Sequence, residues 1–177
     1  MKVYLHSEAS WQTSKPGERP ACLFLSPMLR RRCSMVTRMA LEAAYQALER
    51  AAVPPQEVNV LHLSRLGEIT SLMDLLQALV KREPLSPATF SNSVHHTPIG
   101  YFSIQAGNQK IGRTLSAGPM TWVMGCVDAF GLLLAHTEPL LLVYSDESLP
   151  PEFSCSGTEN LPVGAWAFVF SRQAVGA

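Results

Sequence analysis

Between Phe90 and Gly131 the sequence reads as a helix, a strand, a tight Gly118-Pro119 turn and a second helix. Thr114 to Ala117 makes the short strand, and Val123, Val127, Phe130 and Leu134 fall at helical spacing beyond the turn. Proline suits the first turn of a helix, where its missing N–H would have had no partner. A strand turned so sharply into a helix sets one side chain at a positive helix N-terminus, where a thiolate or an oxyanion is stabilised. Pro119 occupies that point, and it carries no nucleophile.

The rest of the chain alternates strand and helix around this unit. Val3 to Leu5 suits a short first strand, and Ser7 to Pro20, polar with two prolines and a glycine, suits a surface excursion. From Ser34 onward Val36, Met39, Ala40, Ala43, Ala44, Ala47 and Leu48 recur at steps of three and four, one face of a helix closed by Pro54-Pro55. Val58, Val60, Leu61 and Leu63 form the run of a buried parallel strand. After Gly67, a second helix face carries Leu72, Leu75, Leu76, Leu79 and Val80, with Pro84 and Pro87 closing it. Leu140 to Tyr144 is a continuous apolar strand, Ser148 to Leu161 a loop, and Ala165 to Phe170 a last strand of alternating small and aromatic residues. The alternation predicts an α/β layered domain with a largely parallel sheet and an antiparallel pair at its end.

Length and charge narrow the classes. A chain of 177 residues, 47% hydrophobic and 16% charged, suits a single domain over residues 1–177. Zero net charge supplies no field to draw it to nucleic acid or an anionic membrane, and favours life within a complex. Cys22, Cys33, Cys126 and Cys155 contain no CxxC pair, and the N-terminus lacks a secretory layout, which predicts reduced thiols in a cytoplasm. Leu140 to Tyr144, read as the longest apolar stretch, is too short to span a bilayer, so no membrane segment is expected. No GxxxxGK, GxGxxG or HExxH occurs, and neither cofactor nor metal is expected.

The stretch SVHHTPIGYFSIQAGNQKIGRTLSAG, leading into the turn, resembles the β-ketoacyl synthase family, in its N-terminal-domain type. There a pattern like SVHNxxxGxxSIxxGNxxPSTALSAG precedes the nucleophile. Ser93, Val94, His95, Gly100, Ser103, Ile104, Gly107, Asn108, Thr114, Leu115, Ser116, Ala117 and Gly118 match it, and RRRCSMVTRMALEAA is similar to the family's early helix. The likeness is loose over residues 23 to 170 and specific over 86 to 131. It implies a thiolase-like half domain: a mixed five-stranded sheet with helices on its faces.

The resemblance also implies that the family's active cysteine aligns with Pro119, with Cys126 two helical turns further along. The family's catalytic histidines and lysine belong to a C-terminal half that is expected to lie outside this chain. No catalytic residue is then expected, and the chain resembles a chain-length factor. Such a subunit pairs with a full-length ketosynthase as a heterodimer, working on fatty acyl, aryl polyene or polyketide chains carried by an acyl carrier protein. By resemblance, Arg113, Thr114, Leu115, Ser116 and Ala117 form the dimer-edge strand. The helix over about Val94 to Gly107 would border the partner's acyl tunnel, with Phe90, Thr97, Tyr101, Phe102 and Trp122 limiting its depth. A half domain also leaves an apolar surface that a partner would cover.

Other constellations weigh less. Adjacent His95 and His96 project in different directions, which argues against a shared metal, and His95 is read as structural. Arg30, Arg31, Arg32 and Arg38 could dock an acidic carrier protein, or form a solvated face. Two further readings stay open: a homodimeric module binding acyl groups or carrier proteins, and a thioesterase or acyltransferase using Ser116, Ser145 or Cys126 with His95.

Overall fold

The structure, a computed structural model, describes residues 2–13, 15, 17–148 and 163–173. The expected loop from Ser148 to Leu161, with Cys155, lies outside the described residues apart from Ser148. Among the described residues, five strands, β1 (Tyr4–Trp11), β2 (Asn59–Leu63), β3 (Gly112–Leu115), β4 (Leu140–Asp146) and β5 (Gly164–Ser171), form one sheet in the order β1-β5-β4-β2-β3. β2 runs parallel to β3 and β4, whereas β5 is antiparallel to β4 and β1. Only β5 is reversed. Because it lies inside the sheet, it makes two antiparallel pairings, and the sheet is more evenly mixed than the sequence pattern suggests.

Among the described residues six α-helices accompany it: α1 (Pro27–Arg32), α2 (Met35–Ala51), α3 (Ile69–Lys81), α4 (Pro87–Asn92), α5 (Thr97–Ala106) and α6 (Thr121–Ala135). Ser34 caps α2 by accepting the Thr37 N–H at 3.1 Å, and Val36, Met39, Ala40, Ala43, Ala44, Ala47 and Leu48 are buried along it as the periodicity requires. The alternation in β5 now has a cause. Ala165, Ala167 and Val169 are fully buried in one core with Ala43, Ala44 and Ala47 of α2, where small side chains let helix and sheet approach. Trp166, Phe168 and Phe170 point to the opposite face and pack against the second core of Leu61, Leu63, Ala129, Leu132, Leu133, Leu140, Leu142 and Tyr144. Helix α6 covers part of that face, and Gly125 lets it close on β2: a Cβ there would lie 2.2 Å from Leu63 Cδ1.

Three expectations are corrected. The excursion placed at Ser7 to Pro20 begins only after Trp11, because β1 continues along β5 through a register shift between Leu5 and Ser7. This is an edge strand burying only Ala9, so its polar composition hides it. Helix α3 buries only Leu75; Leu79 and Val80 are 61% and 83% exposed, leaving much of its apolar face uncovered. Leu140–Tyr144 is not the longest apolar run: Gly118–Ala135 is long and apolar enough, by length and composition, to cross a membrane. Here that segment packs on β2 and β4, burying Thr121, Gly125, Ala129, Leu132 and Leu133 against the sheet.

Candidate functional site

The carboxyl ends of the parallel strands β2, β3 and β4 open toward one rim, where open α/β sheets place their ligands. Asp146, at the end of β4 and fully buried, organises this rim. Its carboxylate accepts from Ser64 Oγ at 2.6 Å, Tyr144 Oη at 2.6 Å, and the backbone N–H groups of Arg65 and Leu66 at 3.1 Å each. Ser64 Oγ in turn accepts the Gly67 N–H at 2.6 Å, so the loop after β2 is tied down from both sides. Gly67 has φ 59°, and a Cβ there would meet His95 Cε1 at 2.6 Å, so only glycine suits the position.

Glu68 follows, 2% exposed, with Oε1 accepting from Ser34 at 2.9 Å and Thr37 at 2.6 Å. Burial pushes its carboxyl up to about 7 against the pull of the Thr37 and Ser34 hydroxyls, and the nearby Glu147 carboxylate adds to the rise. Beneath the rim His62 bonds Ser145 Oγ at 2.8 Å; burial, with His95 and His96 close by, lowers it to about 3, so the ring stays neutral.

The Gly118-Pro119 turn stands beside this network. Gly118 takes φ 55°, Gly118–Met120 winds as a single 3-10 turn, and α6 begins at Thr121. The buried Thr121 hydroxyl donates to the Gly118 carbonyl at 2.8 Å and accepts the Ala117 N–H at 2.9 Å. Pro119 lies exposed at the head of the helix and, with Arg65, Trp122, Tyr144, Trp166 and Phe168, lines a cavity of about 390 Å³. Trp122 stands edge-on to Tyr144, 5.8 Å between centroids at 80°, and 5.8 Å from Phe168.

The residues expected at a tunnel floor do not form one wall. Phe102 is 2% exposed in the first core, 5.7 Å from the Tyr45 ring, and Thr97 is buried. Tyr101 packs against that same core and donates to Asn92 Oδ1 at 2.9 Å. Phe90 is 66% exposed on α4, and Trp122 lies on the opposite sheet face. The sheet separates what the sequence grouped. Among the described residues β3 pairs with β2 alone; the strand covers Gly112–Leu115 and leaves Ser116 and Ala117 of the expected edge beyond its end. Val60 and Ser64 donate to the Ile111 and Leu115 carbonyls, which turns the backbone polar groups of Gly112 and Thr114 outward. Arg113 is paired with Asp128 at 2.7 Å.

Of the four arginines, Arg30 and Arg31 bond the Ala21 and Pro27 carbonyls at 3.3 and 3.2 Å, and Arg38 bonds the Arg30 carbonyl. They shape the α1 turn, and the exposed Arg32 is the one without such a bond among the described residues. The histidines diverge as expected: His95 packs under Gly67, whereas His96 Nδ1 meets Thr114 Oγ1 at 2.9 Å. Ser145, considered with His95, instead pairs with His62 and is fully buried; Ser116 donates to the Arg65 carbonyl at 3.2 Å; Cys126 is exposed on α6. None of the three shares a hydrogen bond with His95 among the described residues. The resembled motif's Gly107 and Asn108 have structural work: Gly107 ends α5 at φ 66°, and Asn108 Nδ2 donates to the Val58 carbonyl at 2.9 Å. Sequence reasoning missed Arg65, Glu68, Asp146, Trp166 and Phe168. An acidic residue ending the otherwise uncharged run LLLVYSD was the available signal.

The β-ketoacyl synthase N-terminal domain family matches residues 6–176. No curated protein matches. Among solved structures, the chain superposes with TM-score 0.82 and 22% identity on one chain of a ketosynthase (ApeO) in complex with its chain length factor (ApeC) from Xenorhabdus doucetiae, covering 99% of this chain and 81% of that one. On the ishigamide ketosynthase/chain length factor the values are 0.71 and 18%, over 92% and 49%. On a β-ketoacyl synthase from Burkholderia phymatum STM815 they are 0.65 and 16%, over 88% and 46%. The chain thus spans about half the length of the last two, and such identities speak to fold alone.

Proposed function

We propose that this chain, which belongs to the β-ketoacyl synthase N-terminal domain family and has its thiolase-like half fold, is a non-catalytic subunit that pairs with a catalytic ketosynthase and influences acyl-chain length. The observation that carries the reading is Pro119. The turn and helix that present a side chain at the carboxyl end of the sheet are intact, held by Thr121, yet the presented residue can form no acyl thioester. The likeness in fold supports it: the chain superposes on chains of two ketosynthase and chain-length-factor structures, covering 81% of one and 49% of the other.

Pairing would use β3. Its outward N–H and C=O groups at Gly112 and Thr114 can accept a partner's strand, extending the sheet across the interface. Of the residues expected at the tunnel, Phe90 on α4 is the most exposed, and so the one free to enter a partner's acyl channel. One methylene in an apolar pocket changes binding by about 1 to 3 kcal/mol, so a single ring can set a length limit. Affinity purification from the native cells, followed by assay of the companion with and without this chain, tests the proposal. A ketosynthase companion whose product length shifts on removal is expected; the absence of any ketosynthase, or an unchanged product, refutes it.

A further inference from the structure

We infer that the cavity beside Pro119 is a binding site for a flat, apolar carboxylic acid, its hydrocarbon part among the rings and its carboxylate on Arg65. The cavity of about 390 Å³ falls within the size range of small-molecule sites, and four of its lining residues are aromatic. Trp122 turned edge-on to Tyr144 and tilted on Phe168 offers ring faces and edges to a planar guest. Arg65 is the sole charged residue of the lining among the described residues. Its natural counter-ion is already committed: Asp146 takes its four donors from Ser64, Tyr144 and two backbone N–H groups, and the ion pairs among the described residues are Lys110–Glu138 and Arg113–Asp128. Arg65 Nε is buried with no partner among the described residues. A guanidinium whose Nε lacks a partner, set in the wall of an aromatic cavity, selects an anion, and a carboxylate matches its planar fork. The head of α6 at Pro119 adds a favourable field. The site does not require a ketosynthase companion, so failure to find one leaves this inference standing.

The test is titration of the full chain with cis-parinaric acid, a conjugated carboxylic acid whose absorption overlaps tryptophan emission, read as quenching of Trp122 and Trp166. Saturable quenching is expected, weakened about tenfold both for the methyl ester and in Arg65→Gln, since a charge-assisted bond is lost in each. The ester comparison uses the unaltered protein and stands even where the variant folds poorly. Absence of saturable quenching, or equal affinity for acid and ester, overturns the inference.

Discussion

Thr121 Oγ1 lies 2.8 Å from the Gly118 carbonyl and 2.9 Å from the Ala117 N–H, so one hydroxyl closes the turn that presents Pro119. Valine at 121 keeps the shape and removes both bonds at a site 1% exposed. Thr121→Val is expected to cost about 1 to 3 kcal/mol, the range for leaving a buried donor or acceptor unpaired. Urea unfolding checks it.

Asp146 holds the loop after β2 through four donors. An asparagine there turns an N–H₂ toward groups that themselves donate. Asp146→Asn should therefore cost about 2 kcal/mol or more, and raise amide exchange at Arg65 and Leu66 before the rest of the sheet. Uniform exchange across the sheet would refute that anchoring role.

The pH dependence of stability follows from two buried groups with opposite signs. Glu68, raised from 4.5 to about 7, binds its proton more tightly folded than unfolded; its contribution is full below 4.5 and is lost as pH rises through about 7. His62, lowered from 6.5 to about 3, contributes in the other sense: stability is present above 6.5 and lost as pH falls toward 3. The two oppose each other between 4.5 and 6.5. Glu68→Gln removes the first, so its stability relative to the parent should climb from pH 4.5 to about 7 and then level off. A flat difference across that range contradicts the assignment.

Phe102 and Phe90 separate packing from chain-length control. Phe102→Ala, in the core, should cost about 3 to 5 kcal/mol. Phe90→Ala, at an exposed position, should change stability by about 0.5 kcal/mol or less and lengthen the products made with the companion ketosynthase. Mass analysis of products from the reconstituted pair decides it.

Thr114→Pro removes an outward N–H of β3 while leaving the Ile111 and Leu115 carbonyls bonded to β2. The variant should fold, with a circular dichroism spectrum like the parent's, and elute as a lone chain. Retained association would move the interface away from β3.

Much of the fold is written in the sequence because burial imposes a period. The α2 face from Val36 to Leu48 and the apolar runs of β2 and β4 stand where the pattern puts them, since each packs against a core. The expected first strand stops short of the end of β1 because an edge strand that buries one alanine carries little alternation. The uncovered face of α3 is invisible to periodicity, which reports amphipathicity and not whether anything lies opposite. At the site, Pro119 and its turn are local and legible. The convergence of Arg65, Tyr144 and Trp166 depends on the pairing of β2 with β4 and β4 with β5, a tertiary fact that no local window contains.

Native mass spectrometry of the protein purified from its own cells tests the central claim most directly. A one-to-one complex with a ketosynthase about twice its size, the proportion met in the β-ketoacyl synthase of which this chain covers 46%, with no acyl adduct on this chain, is the predicted result. A homodimer or a lone chain in place of that complex, or an acyl group carried covalently by this chain, would contradict it.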